Sequence, residues 1–320
     1  MNVFSHEAMD TAFTVRFASG DESLFESAAN ECFRRIDAIE MRLSRFRDDS
    51  DVAVVRALKP GEVAVVSTEF METLMASVRV CSATHGAFDP TLGAAMDVVK
   101  ANGSAAVGDN AKNGEFMGAM SWTGMNRLVL DPDHLRVSVK RPDNADDGEW
   151  RGVSLDFGGI GKGYALDECA KILKGEMYEL GNFLLDAGSS TVLASGAGPD
   201  GNGWKLGVGG RWRGRSRKVP GFVHLSDAAL SGSGFEIQGE HIIDPLERKM
   251  GTRWGQSWTM AKEAAVADAL STAAMSLTAR QLEAACEELD AGALLARDQP
   301  QLLDKVRSPL FPVGNWPDVM

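Results

Sequence analysis

The chain has 320 residues, of which 44% are hydrophobic and 24% charged, with 34 Gly and 11 Pro. This is the composition of a globular protein, so disordered, collagen-like and low-complexity chains are excluded. The formal net charge is −12, from 33 Lys and Arg against 45 Asp and Glu. Such an acidic chain argues against nucleic acid or an anionic membrane surface as the main partner.

The cysteines are far apart in the sequence, at Cys32, Cys81, Cys169 and Cys286. Without a short-spaced pair they indicate buried thiols rather than a zinc motif or a disulfide framework. The N-terminal stretch lacks the charged and apolar regions of a secretory signal. No apolar run approaches the roughly 18 residues of a membrane span. We therefore expect a soluble, cytoplasmic protein that does not insert into membranes.

The first elements follow clear periodicities. Alternation in TAFTVRFA predicts a strand at 11–18, and apolar residues spaced by three and four from Leu24 to Leu43 predict an amphipathic helix. The same helical spacing recurs at 67–82, behind a candidate Ser67 N-cap. The polar, glycine-rich stretch 101–114 has no period, which predicts a surface loop or insertion.

The rest of the chain alternates between strands and helices. Residues 152–175 are typical of a strand, a glycine-rich turn and a helix, and 262–288 predicts one long helix. The other predicted strands are 126–130, 135–139, 182–187, 190–195 and 204–208. Helices between and after strands indicate an α/β (α+β) fold class.

The segment VSLDFGGIGKGYALDECAKIL at 153–173 leads an apolar stretch through four glycines into a helix. Glycines let a backbone approach a ligand closely, and the amides and dipole at a helix start suit a phosphate. Lys162 would add a positive charge there. The alternative is a glycine-rich corner with a solvated lysine, and this segment alone does not decide between the two.

The segment AVADALSTAAMSL at 265–277 places Asp268 and Thr272 four residues apart, so both lie on one face of a helix. A carboxylate and a hydroxyl one turn apart are candidate oxygen ligands for a hard cation such as Mg²⁺. In the alternative interpretation Asp268 caps or pairs with a neighbouring loop, and Thr272 bonds back to its own helix.

Two further segments combine acids with turn-forming residues. GEHIIDPLERKM at 239–250 predicts a short strand ending in an Asp-Pro turn, with His241 and Asp244 as candidates for a general base and a polar contact. In the alternative, the histidine is a surface residue and the aspartate only forms the turn. In ATHGAFDPTLGAAMD at 83–97, Phe88 adjoins Asp89 in a second turn, which is equally compatible with ligand binding or structure.

In this order and at these separations, the segments resemble the ApbE-type flavin transferases (FAD:protein FMN transferases). The similarity extends from about residue 10 to residue 295, and the combination of GxxKGYxxD, HIIDP and ADALSTA carries it. The matching stretches are LSRFRDDSDV at 43–52, HGAFDPTLG at 85–93, LDFGGIGKGYALD at 155–167, ALSGSG at 229–234, EHIIDP at 240–245 and ADALSTA at 267–273.

The resemblance implies one ApbE-like domain over residues 1–320, with a T-fold-like core of mixed sheets and packed helices. It also implies Mg²⁺-dependent cleavage of the FAD pyrophosphate, transfer of FMN to a Thr or Ser hydroxyl of a target flavoprotein, and release of AMP. Two alternatives use the same site: an FAD pyrophosphatase that forms FMN and AMP with water, and a non-catalytic flavin-binding protein.

The resemblance implies the metal ligands, and a mechanism hypothesised from it gives roles to further residues. Asp268, Thr272 and the backbone carbonyl of Gly159 would hold Mg²⁺. His241 or Asp244 would accept the proton of the attacking hydroxyl, and the sequence does not choose between them. Contacts to FAD would come from Phe88, Asp89, Lys162, Asp167 and Ser233.

The chain also departs from the family pattern. Val55 stands where many relatives have Asn, and Gly188-Ser189-Ser190 replaces a Gly-Gly-Asp-like turn. LERK follows HIIDP in place of an expected glycine, and the Trp common after the FDPT segment is missing. These changes touch the expected FAD cleft and acceptor-facing loops rather than the metal pair.

Overall fold

A computed structural model describes residues 1–102, 110–141, 150–188, 190–212, 215–234, 242–296 and 303–306. The chain divides into two compact units. Unit 1 comprises Met1–Ala38, Ile160–Gly239 and Arg253–Met320, and unit 2 comprises Ile39–Gly159 and Glu240–Thr252. The prediction of one domain over 1–320 stays a prediction.

The described helices are α1 (Glu22–Leu43), α2 (Asp51–Ala57), α3 (Thr68–Ala83), α4 (Gly93–Asn102), α5 (Asn110–Met120), α6 (Gly161–Lys174), α7 (Ala264–Ala274) and α8 (Ala279–Glu288). The described strands are β1 (Asn2–Ala8), β2 (Thr11–Phe17), β3 (Val63–Val65), β4 (Leu128–Asp131), β5 (Arg136–Val139), β6 (Phe183–Ala187), β7 (Thr191–Ser195), β8 (Trp204–Trp212), β9 (Arg215–Leu225), β10 (Ala228–Gly234), β11 (Ile243–Asp244), β12 (Lys249–Met250), β13 (Gln256–Ala261), β14 (Gly292–Ala296) and β15 (Leu303–Val306).

Unit 1 is built on an eight-stranded sheet with the order β1-β2-β6-β7-β10-β13-β14-β15. Because successive side chains of a strand face opposite sides, each strand contributes side chains to both faces of the sheet. On one side, α6 packs over β6 and β7, and α7 packs over β10 and β13. The other side joins the β8–β9 hairpin in an apolar cluster that includes Leu184, Trp204, Val223 and Trp258.

Unit 2 contains the three-stranded sheet β3-β5-β4, the β11–β12 hairpin and helices α2 to α5. Phe116 and Met120 of α5 pack with Ala95 and Val99 of α4 and with Ile243 of β11. The HIIDP segment is therefore anchored in the core of this unit by its second isoleucine.

Many predicted elements are confirmed. The strand at 11–18 is β2, and the helix from Leu24 to Leu43 is α1. The Ser67 side chain accepts a hydrogen bond from the Phe70 amide at the start of α3, as an N-cap should. Cys32, Cys169 and Cys286 are buried free thiols, whereas Cys81 is partly exposed.

Three predictions were wrong in detail, and one element, β1, was not predicted. Residues 153–157 form no strand, because their backbone instead bonds to the segment around residue 90, where the Asp156 amide donates to the Pro90 carbonyl at 2.7 Å. The long helix at 262–288 is two helices, because Thr278 and Gln281 form a capping box that starts α8. Within the predicted loop 101–114, residues 110–114 belong to α5, while 103–109 lie outside the described residues.

The fold class is confirmed as a mixture of helices and several sheets. In place of the mixed sheets expected, the strand pairs described are all antiparallel, which makes the fold α+β in type. Among the described residues, no helix has the length and apolar character needed to span a membrane.

Candidate active site

Asp268 lies on α7, in an alanine-rich stretch that favours a helix, and its side chain is only 4% exposed. Three neutral donors point at its carboxylate. Oδ2 accepts a hydrogen bond from the Gly163 amide at 3.1 Å, and Oδ1 accepts from Thr191 Oγ1 at 3.0 Å. Ser231 Oγ lies 3.4 Å from the same Oδ1. Burial of a carboxylate requires such partners, since an unpaired buried charge is costly.

A network of hydroxyls surrounds this carboxylate, and we call Thr191, Ser231, Ser233 and Ser271 the hydroxyl cluster. Ser231 Oγ lies 2.9 Å from Thr191 Oγ1 and 3.2 Å from Ser271 Oγ. Ser233 Oγ lies 2.8 Å from Ser271 Oγ, which also donates to the Asp268 carbonyl at 2.8 Å. Ser231 and Ser233 share a face because they are two residues apart on β10.

Ser190, in the segment that replaces the family's Gly-Gly-Asp-like turn, contacts the hydroxyl cluster through its carbonyl. The Ser190 carbonyl accepts hydrogen bonds from Ser231 Oγ at 3.2 Å and from the Gly232 amide at 2.8 Å. Gly188 has φ +68°, and a Cβ there would lie 2.1 Å from Thr11 Oγ1. Ser189 lies outside the described residues. This departure from the family pattern thus lies next to the Asp268 site.

Gly163, in the first turn of α6, is needed for helix packing. A Cβ at this position would lie 2.2 Å from the Ala264 carbonyl oxygen. The missing side chain lets α6 approach the start of α7 closely enough for the Gly163 amide to reach Asp268.

Asp167 caps α7 across the same contact. Its two carboxylate oxygens accept from the Ala264 and Ala265 amides at 2.7 and 2.9 Å. Burial raises the pKa of Asp167 to about 7 and outweighs these two hydrogen bonds. Because both oxygens serve the helix start, this geometry favours a structural role, and the FAD contact expected of Asp167 stays a prediction.

Thr272 and Lys162 complete the predicted residues of unit 1. Thr272 is half-buried, one helical turn after Asp268 on α7. Lys162 is half-buried in the first turn of α6, at the positive end of the helix dipole. Unit 1 therefore brings Asp268, Thr272 and Ser233 to one part of α7 and β10, and it brings Lys162 beside Gly163.

In unit 2, Arg45 organises the turn that contains Gly159. The Arg45 side chain is 7% exposed and forms ion pairs with Asp156 and Asp97. It also donates to the Gly93 carbonyl at 2.9 Å, and Asp156 Oδ1 accepts from the Gly158 amide at 2.8 Å. Sequence reasoning noted the LSRFRDDSDV stretch but did not single out Arg45, whose partners lie far along the chain.

The other predicted residues of unit 2 form turns. Asp89 Oδ1 accepts from the Thr91 amide at 2.8 Å and from its hydroxyl at 2.6 Å, which starts the 3-10 turn Pro90–Leu92. Burial raises the pKa of Asp89. Phe88 is buried, and so is Val55 on α2. Their buried positions give both side chains a packing role within this unit.

Asp244 ends β11, as the predicted strand and Asp-Pro turn require. It is buried, and its Oδ1 accepts from the Leu246 and Glu247 amides at 3.0 and 3.1 Å. This closes the turn to β12 with the LERK residues that replace the expected glycine. His241 lies outside the described residues.

Three residues beside Asp268 were not predicted as site residues, namely Thr191, Ser231 and Ser271. Alternation in ALSGSG signalled that Ser231 shares the face of Ser233, and Ser271 follows Asp268 by three residues on the same helix. Thr191 offered no local signal. The described residues contain no group of three or more His, Cys, Asp and Glu suited to a metal.

Comparison with known proteins shows the family to which the chain belongs. Residues 9–295 match the ApbE family. The chain belongs to the ApbE family. Its relatives include the FAD:protein FMN transferase of Haemophilus influenzae, which is 20% identical over 77% of this chain and 71% of that protein. The Vibrio cholerae FAD:protein FMN transferase is 24% identical over 77% of this chain and 72% of its own length.

Solved ApbE structures share the fold. The flavin transferase ApbE of Vibrio cholerae superposes with a TM-score of 0.78, covering 97% of each chain at 20% identity. The ApbE protein of Thermotoga maritima gives a TM-score of 0.75 and covers 95% of this chain and 96% of its own, at 24% identity. The ApbE fold expected from the sequence is thereby confirmed.

Proposed function

We propose that this protein is an FAD:protein FMN transferase that moves FMN from FAD to a Thr or Ser hydroxyl of an acceptor flavoprotein and releases AMP. Family membership over residues 9–295 supports the reaction class. The structural observation that carries the proposal is Asp268, a buried carboxylate held only by neutral donors among the described residues. It lies beside the start of α6, whose Gly163 amide is one of those donors.

The residues around Asp268 fit Mg²⁺. Their donor atoms are carboxylate and hydroxyl oxygens, which are the ligands of a hard cation, and soft ligands are absent from this set. Mg²⁺ is commonly held by one or two carboxylates together with substrate phosphates. Asp268 and Thr272 would hold it in unit 1, and the resemblance adds the Gly159 carbonyl. When bound, Mg²⁺ would neutralise charge on the pyrophosphate.

The start of α6 supplies a second feature that suits FAD. Lys162 lies in the first turn of this helix, where the dipole is positive. A lysine and a helix start together favour a phosphate group. We assign them to the FAD pyrophosphate, with Ser233 as a neighbouring polar contact. Phe88 and Asp89 are assigned to FAD through the resemblance alone.

The transfer balances as a single displacement. The acceptor hydroxyl oxygen forms a bond to the phosphorus on the FMN side, the bond from that phosphorus to the bridging oxygen breaks, and AMP leaves with that oxygen. The hydroxyl proton passes to His241 or Asp244. Asp244 uses Oδ1 to close its turn, so Oδ2 is the oxygen we assign to this task.

The test measures AMP release and covalent flavin together. Purified protein is incubated with FAD, Mg²⁺ and an acceptor domain established for one of the relatives named above. We expect AMP to appear with flavin fluorescence on the denatured acceptor, and EDTA to abolish both. AMP without flavinylated acceptor would instead identify an FAD pyrophosphatase. Bound but intact FAD in every mixture would identify a flavin-binding protein.

A variant pair tests the residue that carries the proposal. Asp268→Asn should lower the rate of AMP release by about 100-fold or more, because it removes the only carboxylate assigned to the cation. Asp290→Asn changes a solvent-facing carboxylate that pairs with Lys262, and it should leave the rate unchanged. Full activity in Asp268→Asn would overturn the metal assignment.

A further inference from the structure

We propose that Thr191 and Ser231 are positioning residues that hold the Asp268 carboxylate in the orientation in which it binds a divalent cation. The inference rests on the proposed function, which makes Asp268 a metal ligand. Thr191 and Ser231 are both 1% exposed, and they approach the same oxygen, Oδ1, from strands β7 and β10. With the Gly163 amide on Oδ2, the carboxylate is held from two sides.

The two hydroxyls do not contribute equally. Each hydroxyl has one proton to donate. Thr191 lies 3.0 Å from Asp268 Oδ1, and a carboxylate is a stronger acceptor than the Ser231 hydroxyl beside it. The Ser231 proton has several possible acceptors: Thr191 Oγ1 at 2.9 Å, Ser271 Oγ and the Ser190 carbonyl at 3.2 Å each, and Asp268 Oδ1, the most distant, at 3.4 Å. Thr191 is therefore the main holder of the carboxylate, and Ser231 supports it.

Neutral donors are the right means for this task. A lysine or arginine in contact with Asp268 would fix the carboxylate but cancel its charge, and a cation would then gain little by binding. Hydroxyl and amide dipoles restrain the same oxygens without adding a positive charge that would repel a cation. Partners that orient a metal ligand in this way typically change metal affinity or activity by about 10–100-fold when removed.

The neighbouring strand provides matched controls. Ser257 and Thr259 on β13 pair with Ser233 and Ser231 of β10, and both are fully buried. Their hydroxyls also bond to α7, but to backbone carbonyls: Ser257 to Ser271 at 2.6 Å and Thr259 to Ala267 at 2.6 Å. They hold the helix without touching the carboxylate. Their substitution therefore shows the effect of losing a buried hydroxyl when the Asp268 carboxylate keeps its own partners.

The experiment measures the Kd of Mn²⁺ by electron paramagnetic resonance, with Mn²⁺ alone and with Mn²⁺ plus ADP as a flavin-free pyrophosphate. We expect Thr191→Val to raise the Kd by about 10–100-fold. Ser231→Ala should raise it less, and Thr191→Ser should restore the wild-type value. Ser257→Ala and Thr259→Val should leave the Kd unchanged. Thermal midpoints are measured for every variant, so that a loss of folding is visible.

Two results would overturn the inference. One is a wild-type Kd in Thr191→Val; the other is an equal loss of affinity in Thr259→Val, which would make the effect one of helix packing. If Thr191→Val does not fold, Ser231→Ala and Thr191→Ser decide. Asp268→Asn distinguishes the two proposals: wild-type Mn²⁺ binding in that variant would sink the metal assignment itself. Loss of Mn²⁺ binding in Asp268→Asn together with an unchanged Kd in Thr191→Val would overturn only the positioning role.

Discussion

Asp156 in unit 2 and Asp268 in unit 1 are held by opposite means. Asp156 forms an ion pair with the buried Arg45, whereas the described partners of Asp268 are an amide and two hydroxyls. The guanidinium cancels the charge of Asp156, which makes that aspartate a fixed structural element. The described donors around Asp268 are neutral and bring no positive charge to it. The choice of donors therefore distinguishes a carboxylate that maintains a turn from one that can attract a cation.

The Arg45 cluster connects three separate segments of unit 2. Arg45 contacts Asp156 before the glycine turn, Asp97 on α4 and the carbonyl at the start of α4. Backbone bonds reinforce this junction, since the Gly93 amide donates to the Ser154 carbonyl at 3.0 Å. If its role is structural, its removal should cost stability and leave cation affinity unchanged.

The largest expected effect is on this charged cluster. Arg45→Met should lower the free energy of unfolding by about 3 kcal/mol, because breaking a buried pair leaves Asp156 with an uncompensated charge. Urea denaturation followed by fluorescence measures the change.

The matched control for Arg45 is two residues along the chain. Arg47 forms an exposed ion pair with Asp49 at 2.9 Å, and Arg47→Ala should leave the urea midpoint unchanged, since exposed pairs contribute little. Equal effects of the two substitutions would remove the distinction between the clusters. A large loss of Mn²⁺ affinity in folded Arg45→Met would also contradict a purely structural role for Arg45.

Helix packing at Gly163 gives the next largest effect. Gly163→Ala would bring a Cβ within 2.2 Å of the Ala264 carbonyl oxygen, which forces α6 and α7 apart. We expect a loss of about 2 kcal/mol in the free energy of unfolding and weaker Mn²⁺ binding, because the Gly163 amide moves off Asp268. Gly181→Ala is the control, since a Cβ there meets nothing within 4 Å. Unchanged stability in Gly163→Ala would contradict this account of the glycine.

Features set by neighbouring residues could be predicted from the sequence, and those set by distant ones could not. The pairing of Asp268 with Thr272 follows from helical spacing, and the turn at Asp244 follows from Asp-Pro. Thr191 reaches Asp268 from 77 residues away, and Ser231 reaches it from 37 residues away. Only the order of strands in the sheet brings these donors together, and no local pattern encodes that order.

The errors in secondary structure have the same origin. Residues 153–157 are apolar enough for a strand, but their partner is the irregular segment around Pro90 rather than a sheet edge. The contacts of Asp167 are likewise distant in sequence, while the FAD contact that the resemblance implies for it stays a prediction. Its partners are the first amides of α7, almost a hundred residues later in the chain.

Asp167 and its neighbour Glu168 repeat the comparison of donors on a single helix. Burial raises the pKa of Asp167 to about 7, since the amides of Ala264 and Ala265 only partly offset it. Burial acts on Glu168 too, but hydrogen bonds from Lys171 and Arg35 outweigh it and lower the pKa of that carboxyl. At Asp167 two amides thus leave a buried carboxyl prone to protonation, whereas at Glu168 a lysine and an arginine keep the carboxyl charged.

The smallest expected effect is a pH dependence of stability that comes from Asp167. Its pKa of about 7 exceeds the ordinary 3.8, so the folded state binds a proton that the unfolded state has released. The free energy of unfolding should therefore fall as pH rises towards 7, by about 1 kcal/mol between pH 6 and pH 7, and level off above. Asp167→Asn should remove that slope. Glu168→Gln should keep it, because a lowered pKa leaves Glu168 ionised in both states over this range. Parallel urea titrations at pH 6, 7 and 8 measure all three proteins. If Asp167→Asn kept the pH slope of the wild-type protein, Asp167 would be ionised in both states, and two amides would be enough to hold a buried carboxylate charged. The difference between this site and the Arg45 ion pair would then be one of geometry rather than of charge.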